Sequence, residues 1–215
     1  MIPPGTVSLL LGCAPAGEAQ FSGIRRLLEL LGSRKGAFFQ EWDGERLALG
    51  RRRGLRRVLI CGHGSEQEAG FGSPEPASRP RLTPELLRVP GGCRLFLVGC
   101  HQGRESQRQA WARGTGAAPE AVLGSEGETE SALSTCLLLH LLEDGLQAVD
   151  RWFPQWIRCN AALRPLFPRI RSLYLEQAGD PLRVLSILKT DSIVREQWQF
   201  LEVIEKYPRY LSGLS

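Results

Sequence analysis

Four short apolar runs in this chain are each stopped by a glycine, and that repeated pattern restricts the fold more than any other feature. Residues 6–11 end at Gly12, 57–61 at Gly62, 93–98 at Gly99 and 121–123 at Gly124. Apolar runs of this length, without alternation of polar residues, read as strands covered on both faces. Helical spacing lies between or after them. Ile24, Leu27, Leu28, Leu30 and Leu31 form one apolar stripe, with Ser22 as its cap and Gly32 as its stop. Residues 105–113 and 131–143 read as further helices, the second closed by Gly145. Strands alternating with helices predict an α/β domain with a mostly parallel central sheet flanked by helices.

The remaining segments carry more local expectations. Residues 37–42 read as a strand, Asp43-Gly44 as a hairpin turn, and 45–49 as its antiparallel return. Residues 64–82, rich in Gly, Ser, Pro and Glu, read as a long mobile loop. Thr83-Pro84-Glu85 opens a short helix with Thr as cap and Pro in the first position. Residues 146–178 read as helical, interrupted at Pro154, Pro165 and Pro168. A last strand over 182–188 and a closing helix over 193–206 follow. There is no internal repeat. The domain is expected over 1–190, with a C-terminal helix in 191–215 packed on it.

Composition narrows the function classes. With 215 residues, 42% hydrophobic and 23% charged, the chain has enough apolar surface to offset chain entropy. No stretch reaches the about 18 apolar residues of a membrane span, and the start lacks the basic residues of a signal peptide. A cytoplasmic protein is the expectation. The net charge of +4 is mild, and its arginines, Arg51-Arg52-Arg53 with Arg56-Arg57 and those between Arg104 and Arg113, are not interleaved with aromatics. Nucleic acid is therefore not the expected partner. Six cysteines include no Cys-x-x-Cys pair, and no run of Asp resembles a calcium loop. Cys136 and His140 share a helix face at a spacing that suits a metal, but no third ligand is in sight and core packing is the better reading. No metal and no cofactor are expected.

Two of the glycine-stopped runs end in reactive side chains. One reads Val58-Leu59-Ile60-Cys61-Gly62-His63-Gly64-Ser65, the other Leu95-Phe96-Leu97-Val98-Gly99-Cys100-His101-Gln102-Gly103. Ligands of open α/β sheets bind beyond the carboxyl ends of the strands. If these strands are parallel neighbours, His63 and Cys100 share one rim. A thiolate is a strong nucleophile, and an adjacent imidazole assists its formation and protonates a leaving amine. Amide N–H groups of Gly64 and Cys100 are candidates for an oxyanion hole. Cys13 and Cys61 read as structural thiols. His101 is open to two readings, tuning the thiol or capping the helix that follows.

The order of these motifs resembles the caspase-like (clan CD) cysteine peptidases, and within them the bacterial CHAT group. Ile60 to Gly64 is similar to the histidine strand, Leu82 to Leu87 to the helix before the nucleophile strand, and Leu97 to Gly103 to the nucleophile turn. Val122 to Ser125, the apolar stretch after it and Gly179-Asp180-Pro181 extend the resemblance over roughly residues 6–190. It implies a caspase-like three-layer sandwich and a cysteine endopeptidase with Cys100 as nucleophile and His63 as general acid/base. The partners it implies are a protein or peptide substrate and a regulatory protein, in a defence or cell-death pathway. Gly99, where many relatives carry Ala or Ser, departs from the pattern. Glu126, Glu128 and Glu130 follow the 121–124 strand, where acidic residues line the pocket of arginine-specific relatives. By that resemblance Glu126 and Glu128 bind a basic residue before the scissile bond. Their other reading is as acids favoring the N-terminus of the next helix. Two alternatives remain. The Gly-His-Gly-Ser strand end also resembles tetrapyrrole metal chelatases, and a caspase-like scaffold can serve as a catalytically silent binding module.

Overall fold

Five of the apolar segments pair into one parallel sheet. The computed structural model describes residues 2–13, 25, 28, 29, 31–72, 81–124, 142–159, 164, 166–180, 183, 184 and 187. The sheet strands are β1 (Ser8–Gly12), β2 (Ala37–Glu41), β4 (Arg57–Cys61), β6 (Arg94–Val98) and β7 (Val122–Gly124), in the order β2-β1-β4-β6-β7. Every pairing is parallel. The register aligns Leu9, Val58, Leu95 and Val122 across four strands, and Leu10, Leu59, Phe96 and Leu123 one step further on. Successive side chains alternate between faces. The first row therefore meets Phe71, Leu82, Leu87 and Trp111 in one buried cluster, while the second points to the opposite face.

The chain divides into two units, Met1–Thr129 and Glu130–Ser215. The first holds the sheet and helix α1 (Glu105–Thr115), which packs its buried Trp111 and Ala112 into the core and ends at Gly116 with φ 80°. A left-handed residue at that place is the common glycine helix stop. The second unit contains α2 (Leu146–Cys159) and α3 (Leu166–Glu176). Phe153 stacks on Phe167 at 5.2 Å between ring centers, and Arg171 grips Asp150 through Nε at 2.7 Å and Nη2 at 3.1 Å. Among the described residues no helix is long and apolar enough to cross a membrane.

Several local expectations are corrected. Residues 45–49 do not return against β2. Instead β3 (Leu47–Ala48) pairs in parallel with β5 (Leu87–Arg88) in a separate two-stranded sheet. The Asp43-Gly44 turn does form, with the Asp43 carboxylate accepting the Glu45 N–H at 3.0 Å. However, the Trp42 indole N–H donates to Glu45 O at 2.8 Å and Leu49 N–H to Arg88 O at 2.7 Å, which turns the chain away from β2. The segment after Thr83 is a single 3-10 turn, Pro84–Leu86, with no side-chain cap. Pro154 lies inside α2 and Pro168 in the first turn of α3, so neither ends a helix. A proline in a first turn lacks only an N–H that has no acceptor there. Arg183, Val184 and Ile187 are helical rather than extended, with Asp180 O accepting the Val184 N–H at 3.1 Å. The mobile loop expected over 64–82 is anchored along 65–71, as described below. The closing helix over 193–206 lies outside the described residues.

Candidate functional site

The His63 and Cys100 positions follow from the β4–β6 ladder. Cys61 pairs with Val98, and Gly62 N–H donates to Val98 O at 3.1 Å as the strands part. His63 and Cys100 each stand two residues past that last pair. The sequence spacing of 37 between them is the offset of the register itself (98 − 61). In chain order the sheet runs second, first, third, fourth, fifth strand, so the topology reverses between β1 and β4. Crevices at such reversals, at the carboxyl ends of the strands, are where open α/β sheets take ligands. His63 leaves the sheet beside that point.

Absent side chains bring the two strand exits together. A Cβ on Gly64 would fall 2.8 Å from Cys100 N and closer still to Cys100 O. One on Gly99 would fall 2.8 Å from Gly62 O and would strike the Phe71 ring. One on Gly124 would fall 2.8 Å from Gly103 N and 2.9 Å from the Gln102 carbonyl carbon. The turn from Cys100 to Gly103 is thereby clamped between the exits of β4 and β7, at distances real Cβ atoms do not tolerate. His63 and Cys100 are both half-buried, which leaves each partly open to solvent. The His63 carbonyl accepts the Gly72 N–H at 3.0 Å, and Gly64 bridges Phe71 in antiparallel fashion.

The segment after His63 is tied down by polar side chains from the Cys100 turn and α1, and by Arg81. Gln102 contacts Ser65, Glu68 and Gly70 through its amide. Gln107 Nε2 donates to Glu66 O at 3.2 Å. Arg104 pairs with Glu66 at 2.7 Å, and Arg81 with Glu68 at 2.6 Å. The Arg104 side chain, by hydrogen bond and by charge, holds the Glu66 carboxyl below its usual range, with a smaller contribution from His101. His101 adopts φ 62°, a left-handed backbone that a residue with a side chain rarely takes. Its carbonyl accepts the Arg104 N–H at 3.1 Å. The cap position of α1 is Arg104, and its own side chain makes no cap bond.

Three other thiols among the described residues differ from Cys100 in burial. Cys13, Cys61 and Cys93 are buried. Burial, with Cys61 adding to it, pushes the Cys13 thiol well above its ordinary value of 9.0, and burial pushes Cys93 up to about 12. Such groups are inert as nucleophiles. Cys13 N–H donates to Cys61 O at 2.7 Å and extends the β1–β4 ladder by one step. Gly64 and Cys100, expected as oxyanion donors, have their backbones in close approach. Glu126 and Glu128, with Cys136 and His140, lie outside the described residues. Among the described residues no group of three or more His, Cys, Asp or Glu is arranged to hold a metal ion. Sequence reasoning passed over Gln102, whose only signal is an amide side chain set inside a turn bounded by Gly99 and Gly103. No family model matches the chain, and no curated protein and no solved structure matches it significantly.

Proposed function

We propose that this chain is a cysteine peptidase of the caspase-like type, its parallel sheet forming the center of a three-layer sandwich. The observation that carries the reading is the β4–β6 register, which puts His63 and Cys100 at matching positions past adjoining strands. Of Cys13, Cys61, Cys93 and Cys100, only Cys100 is not buried. In the reaction the Cys100 thiolate attacks the scissile carbonyl carbon, and the carbonyl oxygen takes up the negative charge. Collapse of the tetrahedral adduct breaks the C–N bond, and the His63 imidazolium gives its proton to the departing amine. Water, deprotonated by His63, then cleaves the thioester and regenerates the thiol. The backbone N–H groups of Gly64 and Cys100 face the developing oxyanion, a contribution worth about 3 kcal/mol for one such donor.

The test is covalent labeling with peptidyl acyloxymethyl ketones, followed by mass spectrometry of the intact chain. Wild type is expected to gain one adduct at Cys100, and Cys100→Ala to gain none and to lose at least about 1,000-fold in peptide cleavage. Labeling that persists in Cys100→Ala removes the nucleophile assignment.

A further inference from the structure

Gln102 is 0% exposed, and its amide joins the His63 segment to the Cys100 turn while also contacting α1. Its Oε1 accepts the Gly70 N–H at 2.9 Å and the Trp111 indole N–H at 2.9 Å. Its Nε2 lies 3.2 Å from Ser65 O, 3.4 Å from Glu68 O and 3.4 Å from Cys100 O. Two donors meet the oxygen and three carbonyls meet the nitrogen, so only one orientation of the amide satisfies the site. Trp111 is itself 0% exposed, which gives the oxygen a rigid anchor in the core. The Cys100 carbonyl belongs to the peptide that joins the thiol-bearing residue to the left-handed His101. Holding that carbonyl fixes the backbone torsion on which the direction of the thiol depends.

We propose that Gln102 is a positioning residue, one that sets the Cys100 turn against the His63 segment in the geometry needed for acyl transfer; this rests on the peptidase reading above. The side chain touches neither the scissile bond nor the leaving group. It acts through the Cys100 carbonyl on one side and the 65–70 backbone on the other. A methionine keeps the length of the side chain and loses the amide. A glutamate keeps the shape, but at neutral pH it turns an oxygen toward three carbonyl oxygens in place of a donor.

The experiment compares the full chain with Gln102→Met, Gln102→Glu and Trp111→Phe. The probe is a fluorogenic peptide amide taken from a library because wild type cleaves it and Cys100→Ala does not. All rates are read well below each variant's melting temperature, on material that elutes as folded protein. Gln102→Met is expected to lose about 100-fold in kcat with KM unchanged, the scale of an ångström of misplacement in a reacting group. Gln102→Glu is expected to regain activity as the pH is lowered, because a protonated carboxyl again offers a hydrogen to the carbonyls. Trp111→Phe, which frees one side of the amide, is expected to lose on the order of tenfold in kcat. If Gln102→Met does not fold, the other two variants decide. Wild-type kcat in the folded variants, or a loss confined to melting temperature, overturns the assignment of Gln102 and leaves the peptidase reading standing. If wild type cleaves no library member in a Cys100-dependent way, the peptidase reading falls and Gln102 with it.

Discussion

Where the strands leave the sheet, Gly64, Gly99 and Gly124 let backbones approach to distances no side chain would allow. Where the strands enter, the register sets Arg57 between Ser8 and Arg94. Arg34, 7% exposed, and Arg57, 9% exposed, are buried close enough to repel each other, and burial together with Arg57 lowers Arg34 to about 10. The buried Ser8 hydroxyl makes no hydrogen bond among the described residues. The fully buried Gln102 amide at the exit end has partners for both its oxygen and its nitrogen. An unsatisfied buried polar group costs about 1–3 kcal/mol, a cost that the Ser8 hydroxyl carries and the Gln102 amide avoids. The contrast is between tight backbone contacts at the exits and buried like charges at the entry.

The largest test of that contrast is a pair of glycine substitutions. Gly64→Ala forces a methyl group into the Cys100 backbone and is expected to cost about 2–4 kcal/mol, with a loss of activity on the order of 100-fold. Gly91→Ala, at a glycine with open space around it before the entry end of β6, is expected to change neither. Chemical denaturation and peptide cleavage read both. Equal effects at the two positions would end the claim that the exits need close approach.

A smaller effect comes from the Cys93 thiol at the entry end. Its folded value is raised to about 12 from 9.0, so its contribution is fully present below pH 9 and is lost as pH rises from 9 toward 12. Cys13, also raised, slopes the same way. Arg34, lowered from 12.5 to about 10, slopes the other way above pH 10, because the unfolded chain then holds the proton more tightly. Between pH 9 and 10 the two thiols slope together and Arg34 does not yet oppose them. Cys93→Ala is expected to flatten the fall there by up to about 1.4 kcal/mol per pH unit, read from urea midpoints. An unchanged slope would mean the thiol ionizes in place.

The smallest effect is at Arg34. Arg34→Met removes one of two buried like charges and is expected to leave stability unchanged or raise it by about 1 kcal/mol at pH 7, with cleavage unaffected. A loss of several kcal/mol would show that the guanidinium supports the entry end rather than burdening it.

The sheet was legible because each inner strand is an unbroken apolar run, a pattern that only burial on both faces explains. The rim was legible for the same reason: glycines after those runs mark where the chain must turn tightly. The partner of β3 was not, because Asp43-Gly44 forms its turn in either arrangement and the choice is made by Trp42 and Leu49, far from any local signal. Pro154 and Pro168 misled because a proline signals a break only where its missing N–H or its ring matters, and that depends on helix boundaries the sequence does not mark. Gln102 escaped notice because its value lies in five partners, three of them more than 30 residues back along the chain, and no spacing rule encodes a carbonyl.

The shared ladder offset also bears on how such a chain tolerates change. A residue gained or lost inside β4 or β6 would slide one reactive group past the other and turn its neighbors inside out. An insertion in the stretch joining the two strands spares the register, since hydrogen bonds and not chain length hold the strands level, but it must leave Gly64 and the contacts of 65–72 in place. A lineage built on this plan is bound twice over, by the ten residues of ladder that keep the two abreast and by the glycines and Gln102 partners just past it.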